Sequence, residues 1–345
     1  MSALTEDALK EKIKSSPFGA YLLYGEETFL VKVYTDKLVK ASVGDAFSDF
    51  NLRVFENDDC DLNEIYDSAL AVPMMAEGKC VLVRNYPAAE AEDSDLALLK
   101  ELLADNPPDN CLIFSYPALQ PSASEIGEIV KLFNEKGNVV KFGKKQMSDL
   151  VKIVESGAKK RGKTFERGVA EYMVSCVGND LNLLGNELEK VCAYCGETVR
   201  RGDVDAVCIK TLEAKVFDMV GELVNGNFDK AFRMLSNLFA KREDEYMILG
   251  ALISQYTDIY RAKAAVKNSR NAVEVATAYP SLYKGKDFKL KRSVRPASTM
   301  TFEQLDSCLE ILADADRALK STQQDKKQVL EYTLVRLARA GGRKV

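Results

Sequence analysis

The residues that follow the first apolar run of the chain resemble a nucleotide-binding turn that lacks its phosphate ligands. Residues 20–24 (AYLLY) form a strand-like run, which ends at Gly25, Glu26 and Glu27 and leads into an amphipathic helix. A phosphate site at this position needs a glycine-rich turn and a lysine at the start of the helix. Two acids here favour the positive end of the helix dipole and would repel a triphosphate. The sequence therefore predicts a nucleotide-binding type of fold that takes no nucleotide cofactor.

Other catalytic chemistry is limited because the sequence contains no histidine. No imidazole is present to serve as an acid, a base or a metal ligand. Cys192 and Cys195 form a C-x-x-C pattern late in an amphipathic helix, without a second such pair to complete a zinc site. We therefore expect core cysteines, no metal site and no catalytic residues.

Met74 and Met75 lie in a short segment between a helical pattern and the third strand-like run. Pro73 follows the helix that begins at about residue 62, and Gly78 precedes the strand. In a doubly wound sheet, such a loop lies at the amino ends of the strands, opposite the edge at which nucleotides bind. Two large apolar side chains in this loop can form a surface for a protein partner, or they can close the underside of the domain's own core. From the residues alone, both interpretations stay open.

The densest basic segment of the sequence is 284–295. Its cationic side chains can contact the phosphates of DNA, and an aromatic residue, Phe288, lies between them. The alternative is a solvated connection between helices, or a patch that pairs with an acidic neighbour in an assembly. The candidate DNA-contacting residues are Lys284, Lys286, Lys289, Lys291, Arg292 and Arg295.

The composition of the chain restricts its class. Its 345 residues are enough for two or three domains. A net charge of −4 argues against a protein whose main role is to coat nucleic acid, and eight cysteines without clustered spacing indicate a reducing compartment. No apolar run reaches the roughly 20 residues of a membrane span, and the first residues lack the features of a signal peptide. We therefore expect a cytoplasmic protein without a membrane partner.

Strand-like and helix-like segments alternate over residues 19–143. Five short runs rich in Val, Leu, Ile and Phe are typical of parallel strands that are buried on both faces. Helical patterns lie between them, including 94–104 and 122–135. The strand candidates are 20–24, 51–55, 80–84, 111–116 and 138–142. This order predicts an α/β domain with a doubly wound, five-stranded parallel sheet.

The strand signal vanishes from about residue 144 onward, where an all-α part begins. The pattern predicts three short helices over 147–161, 164–177 and 180–195, and a fourth after residues 201–203. Longer helices are predicted over 216–224, 229–240, 245–266, 302–320 and 326–340. The predicted domains are an α/β domain at 1–143, a small helical lid domain at 144–212 and a helical C-terminal domain at 213–345.

Three stretches, one in each predicted domain, carry a family resemblance. They are 21–30 (YLLYGEETFL), 177–191 (VGNDLNLLGNELEKV) and 313–320 (ADADRALK). In this order they resemble the delta-subunit family of bacterial DNA polymerase III clamp loaders, which is of the AAA+ class. The resemblance implies an AAA+-like α/β domain without a functional phosphate loop, a lid domain and a collar domain that oligomerises with other subunits.

The same resemblance implies a role without ATP hydrolysis, as a subunit of the DNA-directed DNA polymerase holoenzyme. In this family the delta subunit binds the ring-shaped sliding clamp (beta) and holds one interface open for loading onto primed DNA in replication. The gamma/tau and delta prime subunits complete the hetero-oligomer. The sequence agrees at two further places, because the third strand ends at Val83, Arg84 and Asn85 without an acidic pair and 116–124 lack an arginine finger. We expect no intrinsic catalytic activity.

The family also implies a clamp-binding wedge of two adjacent hydrophobic residues. By position these are Met74 and Met75, with Leu70, Ala71 and Pro73 forming the approach. Methionine departs from the commoner leucine–phenylalanine pair, and its unbranched, polarizable side chain suits an adaptable apolar pocket. Two alternatives belong to other functional classes: an ATP-hydrolysing AAA+ motor subunit, and a nucleic-acid-binding scaffold outside replication.

Overall fold

The computed structural model describes residues 4–44, 48–57, 60–118, 121–283, 286, 288–321 and 324–341. The chain divides into two units, Met1–Lys144 and Lys145–Val345. Each of the two units has its own hydrophobic core. Within the described part of the chain, no helix is long and apolar enough to cross a membrane.

Five parallel strands form the sheet of the first unit. They are β1 (Gly19–Tyr24), β2 (Leu52–Glu56), β3 (Lys79–Arg84), β4 (Asn110–Ser115) and β5 (Asn138–Lys141). Their order across the sheet is β2-β3-β4-β1-β5. Leu22 of β1 lies opposite Phe114 of β4 and Val139 of β5. The predicted five-stranded parallel sheet is confirmed, although Asn51 precedes β2 rather than forming part of it.

Six helices accompany the sheet in the described part of the first unit. They are α1 (Glu6–Ser15), α2 (Thr28–Val43), α3 (Ser48–Asn51), α4 (Leu62–Leu70), α5 (Asp93–Asp105) and α6 (Ala123–Lys136). The helix α6 begins at a capping box, in which the side chains of Ser122 and Glu125 each bond the other residue's backbone N–H. Neither α1 nor the single turn α3 is predicted from the sequence.

The core of the first unit lies on both faces of its sheet. All six residues of β4 are buried, as are five of the six in β3. Phe114 packs edge-on against Tyr86 and Phe133, with ring centroids 5.7 and 5.3 Å apart. Burial on both faces explains why these parallel strands are continuous apolar runs in the sequence.

The second unit begins with four helices and two very short strands. They are α7 (Met147–Lys160), β6 (Thr164–Phe165), α8 (Val169–Val177), α9 (Leu181–Tyr194), β7 (Thr198–Val199) and α10 (Arg201–Val207). The expectation of no strands after residue 144 is wrong, because β6 and β7 pair in parallel. The predicted helix at 164–177 accordingly starts only at Val169. Gly162, at φ +71°, turns the chain after α7, and Lys163 Nζ then donates a hydrogen bond to the Gly196 carbonyl at 2.9 Å.

The rest of the second unit is helical. Its helices are α11 (Leu212–Asn225), α12 (Phe228–Ala240), α13 (Glu245–Lys267), α14 (Ala272–Ala278), α15 (Pro280–Tyr283), α16 (Phe288–Thr299), α17 (Phe302–Ser321) and α18 (Lys326–Ala340). The five longer helices predicted from the sequence are confirmed, and α14, α15 and α16 are additional. The helix α16 contains most of the basic segment, and its buried positions include Phe288, Leu290 and Ala297.

Cys192 and Cys195 are buried free thiols of the second unit. Burial raises the pKa of Cys192, which keeps its thiol protonated and unreactive. The two residues therefore belong to the core, as the sequence predicts. Among the residues that the structure describes, no group of His, Cys, Asp or Glu is arranged to hold a metal ion.

Candidate protein-interaction site

The loop between α4 and β3, residues 71–78, presents a row of apolar side chains to solvent. Met74 is 55% exposed and Met75 is 79% exposed. Val72, which lies between the expected approach residues, is 87% exposed. The interpretation that the methionines close the domain's own core is therefore wrong. Exposed apolar side chains that are contiguous in one loop are typical of a binding surface.

The helix end before this loop is held by a buried ammonium group. Lys79, the first residue of β3, is only 5% exposed, and its Nζ donates hydrogen bonds to the carbonyl oxygens of Ser68, at 2.6 Å, and of Ala71. These carbonyls belong to the last turn and C-cap of α4, where they have no partner within the helix. Burial lowers the pKa of Lys79, and the nearby Asp109 carboxylate partly opposes that shift. The lysine thus fixes the point at which the loop leaves α4.

The middle of the loop is held by Asn51, the last residue of α3. The Asn51 side-chain amide donates a hydrogen bond to the Met74 carbonyl at 2.9 Å, and its Oδ1 accepts one from the Met74 N–H at 2.7 Å. The Asn51 side chain itself is almost fully buried. Two hydrogen bonds from one planar amide fix both the position and the orientation of the Met74 peptide groups.

The far end of the loop has tight backbone geometry. Met75 adopts φ +51°, a left-handed conformation that is uncommon for a residue with a long side chain. Gly78 follows shortly after, and a Cβ at this position would lie 2.2 Å from the Phe18 ring and 2.7 Å from the Asp109 carbonyl oxygen. The loop therefore passes too close to its neighbours for any side chain at residue 78.

The five expected clamp-binding residues lie within one continuous stretch of the chain, residues 70–75. Leu70, Ala71, Met74 and Met75 are exposed, and Pro73 is partly exposed. The structure adds two apolar residues that sequence reasoning missed. They are Val72, in the same loop, and Phe50, which is 69% exposed on α3. An apolar residue beside Pro73 was a usable signal for Val72, whereas Phe50 lies in no recognisable pattern.

The opposite edge of the sheet shows what occupies the position of a phosphate loop. Gly25 adopts φ +136°, and a Cβ on it would lie 2.3 Å from the Phe142 carbonyl oxygen. The Glu27 N–H, at the start of α2, donates a hydrogen bond to that same oxygen at 3.1 Å. A phosphate at this point would need the N–H groups at the start of the helix to be available. Here the backbone after β5 takes one of them and fills the space.

The carboxyl ends of β3 and β4 are also without the acids of an ATPase. Arg84 ends β3 and Asn85 follows it, and the Asn85 N–H donates a hydrogen bond to the Ser115 carbonyl at 2.8 Å. The Ser115 hydroxyl lies 2.6 Å from the Thr35 hydroxyl in a buried hydrogen bond. Neutral hydrogen bonds thus occupy the place where carboxylates would hold magnesium.

The residues of the basic segment differ in their exposure to solvent. Lys286, Lys291 and Arg295 are exposed and Lys289 is partly exposed, while Lys284 lies outside the described residues.

Arg292 points inward instead. Its guanidinium donates a hydrogen bond to the Ser175 carbonyl at 3.0 Å and lies 3.7 Å from the centroid of the Phe217 ring. Asp218 is 3.8 Å away, and burial lowers the pKa of the arginine. The Arg292 guanidinium is therefore already bound within the chain, and the expected contact with DNA stays a prediction.

Comparisons with known proteins cover both units of the chain. A family model described as DNA polymerase III, delta subunit, matches residues 21–143. A second model, described as the C-terminal domain of the same subunit, matches residues 213–337. Together the two models account for more than half of the sequence.

Individual relatives agree with these models. DNA polymerase III subunit delta of Bacillus subtilis (strain 168) is 23% identical over 339 residues, which is 96% of each chain. The probable DNA polymerase III subunit delta of Aquifex aeolicus (strain VF5) is 24% identical over 254 residues, 70% of each chain. Among solved structures, the Bacillus subtilis DNA clamp loader delta protein is similar with a TM-score of 0.61 and 22% identity. That similarity covers 96% of this chain and 98% of the other, so the two chains share a fold.

Proposed function

We propose that this chain, which belongs to the DNA polymerase III delta-subunit family, binds the sliding clamp through the loop between α4 and β3. The bound loop holds one interface of the ring open while the clamp is loaded onto primed DNA. The observation that carries this proposal is the exposure of Met74 and Met75 on a loop whose backbone is fixed from both sides. Replication in bacteria takes place in the cytoplasm, which is where we place the chain.

The expected strength of the contact follows from the side chains that it buries. Removing one methionine side chain from water on binding is worth about 1.5–3 kcal/mol. Two such side chains can supply much of the affinity of a small interface, because a few central residues usually dominate the binding energy. A loop that is already held in place also loses little conformational entropy on binding.

The remaining parts of the chain have proposed roles in the same assembly. Residues 1–143 form the AAA+-like domain, 144–212 the lid domain and 213–345 the collar domain that joins the gamma/tau and delta prime subunits. Lys286, Lys291 and Arg295 are exposed on or beside α16, which supports a contact with the phosphates of primed DNA in the assembled loader. ATP hydrolysis is assigned to the neighbouring subunits.

The test is surface plasmon resonance between the full chain and the sliding clamp of the same organism. The variant that carries Met74→Ser and Met75→Ser should bind the clamp about two to four powers of ten more weakly. Its melting temperature should stay close to that of the parent, because both side chains are exposed.

Met247→Ser is the matched control, since Met247 is 63% exposed on α13 of the second unit. It should leave clamp binding unchanged. Full-strength binding by the Met74 and Met75 double variant would show that the clamp contact lies elsewhere.

A further inference from the structure

We propose that the clamp-binding surface consists of two chain segments, in which Phe50 contacts the clamp and Asn51 positions Met74 in the loop between α4 and β3. This inference rests on the proposed function of that loop. It adds one contact residue and one positioning residue that neither sequence analysis nor family resemblance indicated.

The first observation is the exposure of Phe50. This aromatic side chain is 69% exposed on the single turn of α3. A phenylalanine offers a large rigid apolar surface that loses little conformational freedom when a partner covers it. An exposed aromatic ring by itself does not identify a binding site. The position of Phe50 relative to the loop is therefore the second observation that the proposal needs.

The second observation is the pair of hydrogen bonds between Asn51 and the Met74 backbone, at 2.7 and 2.9 Å. Phe50 is the chain neighbour of Asn51, so its Cα lies roughly 10 Å or less from that of Met74 by the dimensions of the backbone and one amide side chain. Phe50, Met74 and Met75 thus lie within reach of a single partner pocket and its rim. The Asn51 hydrogen bonds therefore bring the exposed apolar residues of both segments into one region of the surface.

The chemistry of this surface selects its occupant. Its exposed large apolar side chains are Phe50, Leu70, Val72, Met74 and Met75, and the exposed acids Asp49 and Glu77 lie in the same two segments. Such a surface fits an apolar protein pocket better than phosphate or a charged peptide. Because the Asn51 hydrogen bonds join α3 to the proposed clamp-binding loop, we assign both segments to the same partner, the sliding clamp.

The two residues have different roles, and these roles predict different behaviour. Phe50 contributes contact area of its own, so the effects of Phe50→Ser and Met74→Ser on affinity should multiply. Asn51 acts through the Met74 backbone, so Asn51→Ala should matter less once the Met74 side chain is gone. Double-mutant cycles separate these two cases.

The experiment measures clamp binding by surface plasmon resonance for the full chain and five variants: Phe50→Ser, Asn51→Ala, Met74→Ser and the two doubles that include Met74→Ser. Each variant's melting temperature is recorded. We expect Phe50→Ser to weaken binding about tenfold in both backgrounds. We expect Asn51→Ala to weaken binding about tenfold in the parent and less than threefold beside Met74→Ser, with a change mainly in the dissociation rate.

Two further variants serve as controls. Tyr332→Ser removes an aromatic side chain that is 66% exposed in the second unit, and it should leave clamp binding unchanged. Asn51→Asp keeps the acceptor for the Met74 N–H but turns a carboxylate oxygen toward the Met74 carbonyl oxygen, so it should weaken binding at least as much as Asn51→Ala. Phe50→Ser tests the contact role even if a change at the buried Asn51 unfolds the chain.

The outcomes distinguish this inference from the proposed function. If the parent binds the clamp and the Met74 and Met75 double variant does not, while Phe50→Ser binds as the parent does, the two-segment surface is refuted and the proposed function stands. If Asn51→Ala costs the same factor with and without Met74→Ser, Asn51 is not a positioning residue for Met74. If the parent chain fails to bind the clamp, both proposals are refuted.

Discussion

The Glu27 carboxylate and the Lys144 ammonium form an ion pair at the start of α2, with Nζ 3.3 Å from Oε2. The Glu27 side chain is 4% exposed, whereas that of Lys144 is 35% exposed. A buried carboxylate next to the positive end of a helix dipole, with a cation beside it, is electrostatically satisfied without any ligand. The same place in an ATPase would have to receive several negative charges.

We therefore expect that the isolated chain does not bind ATP. Isothermal titration with ATP and magnesium should give no saturable heat, because the carboxylate repels a triphosphate and the backbone at Phe142 fills the turn. One-to-one binding at micromolar concentration would contradict this expectation. It would also support the alternative that this chain is an ATP-hydrolysing AAA+ motor subunit.

The packing of that turn predicts the effect of a methyl group at Gly25. Gly25→Ala would place a Cβ 2.3 Å from the Phe142 carbonyl oxygen in a backbone conformation that alanine rarely adopts. We expect the variant to lose roughly 3 kcal/mol or more of unfolding free energy in urea. The control is Gly127→Ala within α6, where a Cβ would meet nothing within 4 Å. That change should stabilise the chain by about 0.5–1 kcal/mol, and equal effects of the two variants would refute the packing argument.

The sequence predicts the sheet well because its strands are buried on both faces. Their apolar runs differ from the patterns of the surrounding helices, so the type and order of these elements can be predicted without tertiary information. The loop with Met74 and Met75 is found for a similar local reason, since Pro73 and Gly78 mark its ends. Elements that are determined by nearby residues can therefore be predicted from the sequence.

Features that depend on distant residues were missed. Asn51 bonds a residue 23 positions away, and nothing near Asn51 in the sequence indicates that partner. Thr164–Phe165 is a two-residue strand, too short to show any periodicity. The helix α16 was missed because its basic residues conceal a buried face. Arg292 itself points into the structure there rather than out of it.

Two arginines one turn apart on α16 should behave differently. Arg292→Ala removes a charged hydrogen bond to the Ser175 carbonyl and a contact with the Phe217 ring, so it should cost roughly 1.5–3 kcal/mol of unfolding free energy. Arg295 is exposed, and Arg295→Ala should change stability by less than about 0.5 kcal/mol. Urea denaturation of both variants measures the difference. Equal losses of unfolding free energy would mean that the contacts of Arg292 with Ser175 and Phe217 do not stabilise the fold.

Arg295 also tests the proposed contact with the phosphates of primed DNA. Arg295→Ala should weaken the binding of primed DNA by the assembled loader and reduce the dependence of that binding on salt. An unchanged affinity and salt slope would argue against a DNA contact at Arg295.

Asp258 on α13 predicts a pH dependence of stability. It is 4% exposed, and burial raises its pKa above the ordinary 3.8, although Tyr283, Lys289 and Arg261 oppose the shift. The Tyr283 hydroxyl donates a hydrogen bond to the carboxylate, and Arg261 in turn donates one to that hydroxyl at 2.9 Å. Because the folded chain holds this proton more tightly than the unfolded chain, the stabilisation is complete below pH 3.8. It is lost as the pH rises through the raised pKa.

Comparison with Asp258→Asn isolates this contribution, since asparagine does not titrate. The stability of the parent relative to the variant should increase as the pH falls from 8 to 4, by at most about 1.4 kcal/mol per pH unit. Urea denaturation at several pH values measures it. Parallel stability curves for the two proteins would mean that the Asp258 pKa is the same in the folded and unfolded states.

Met75 combines a left-handed backbone conformation, which favours glycine or asparagine, with an exposed apolar side chain that those residues lack. A non-glycine residue at φ +51° costs about 1 kcal/mol or more, a cost that glycine avoids and asparagine reduces. Either replacement would relax the loop and remove the 79% exposed apolar side chain. Selection for a more stable protein and selection for recognition therefore favour different residues at position 75. A screen for thermostability alone should enrich glycine or asparagine there, at the expense of the proposed clamp binding.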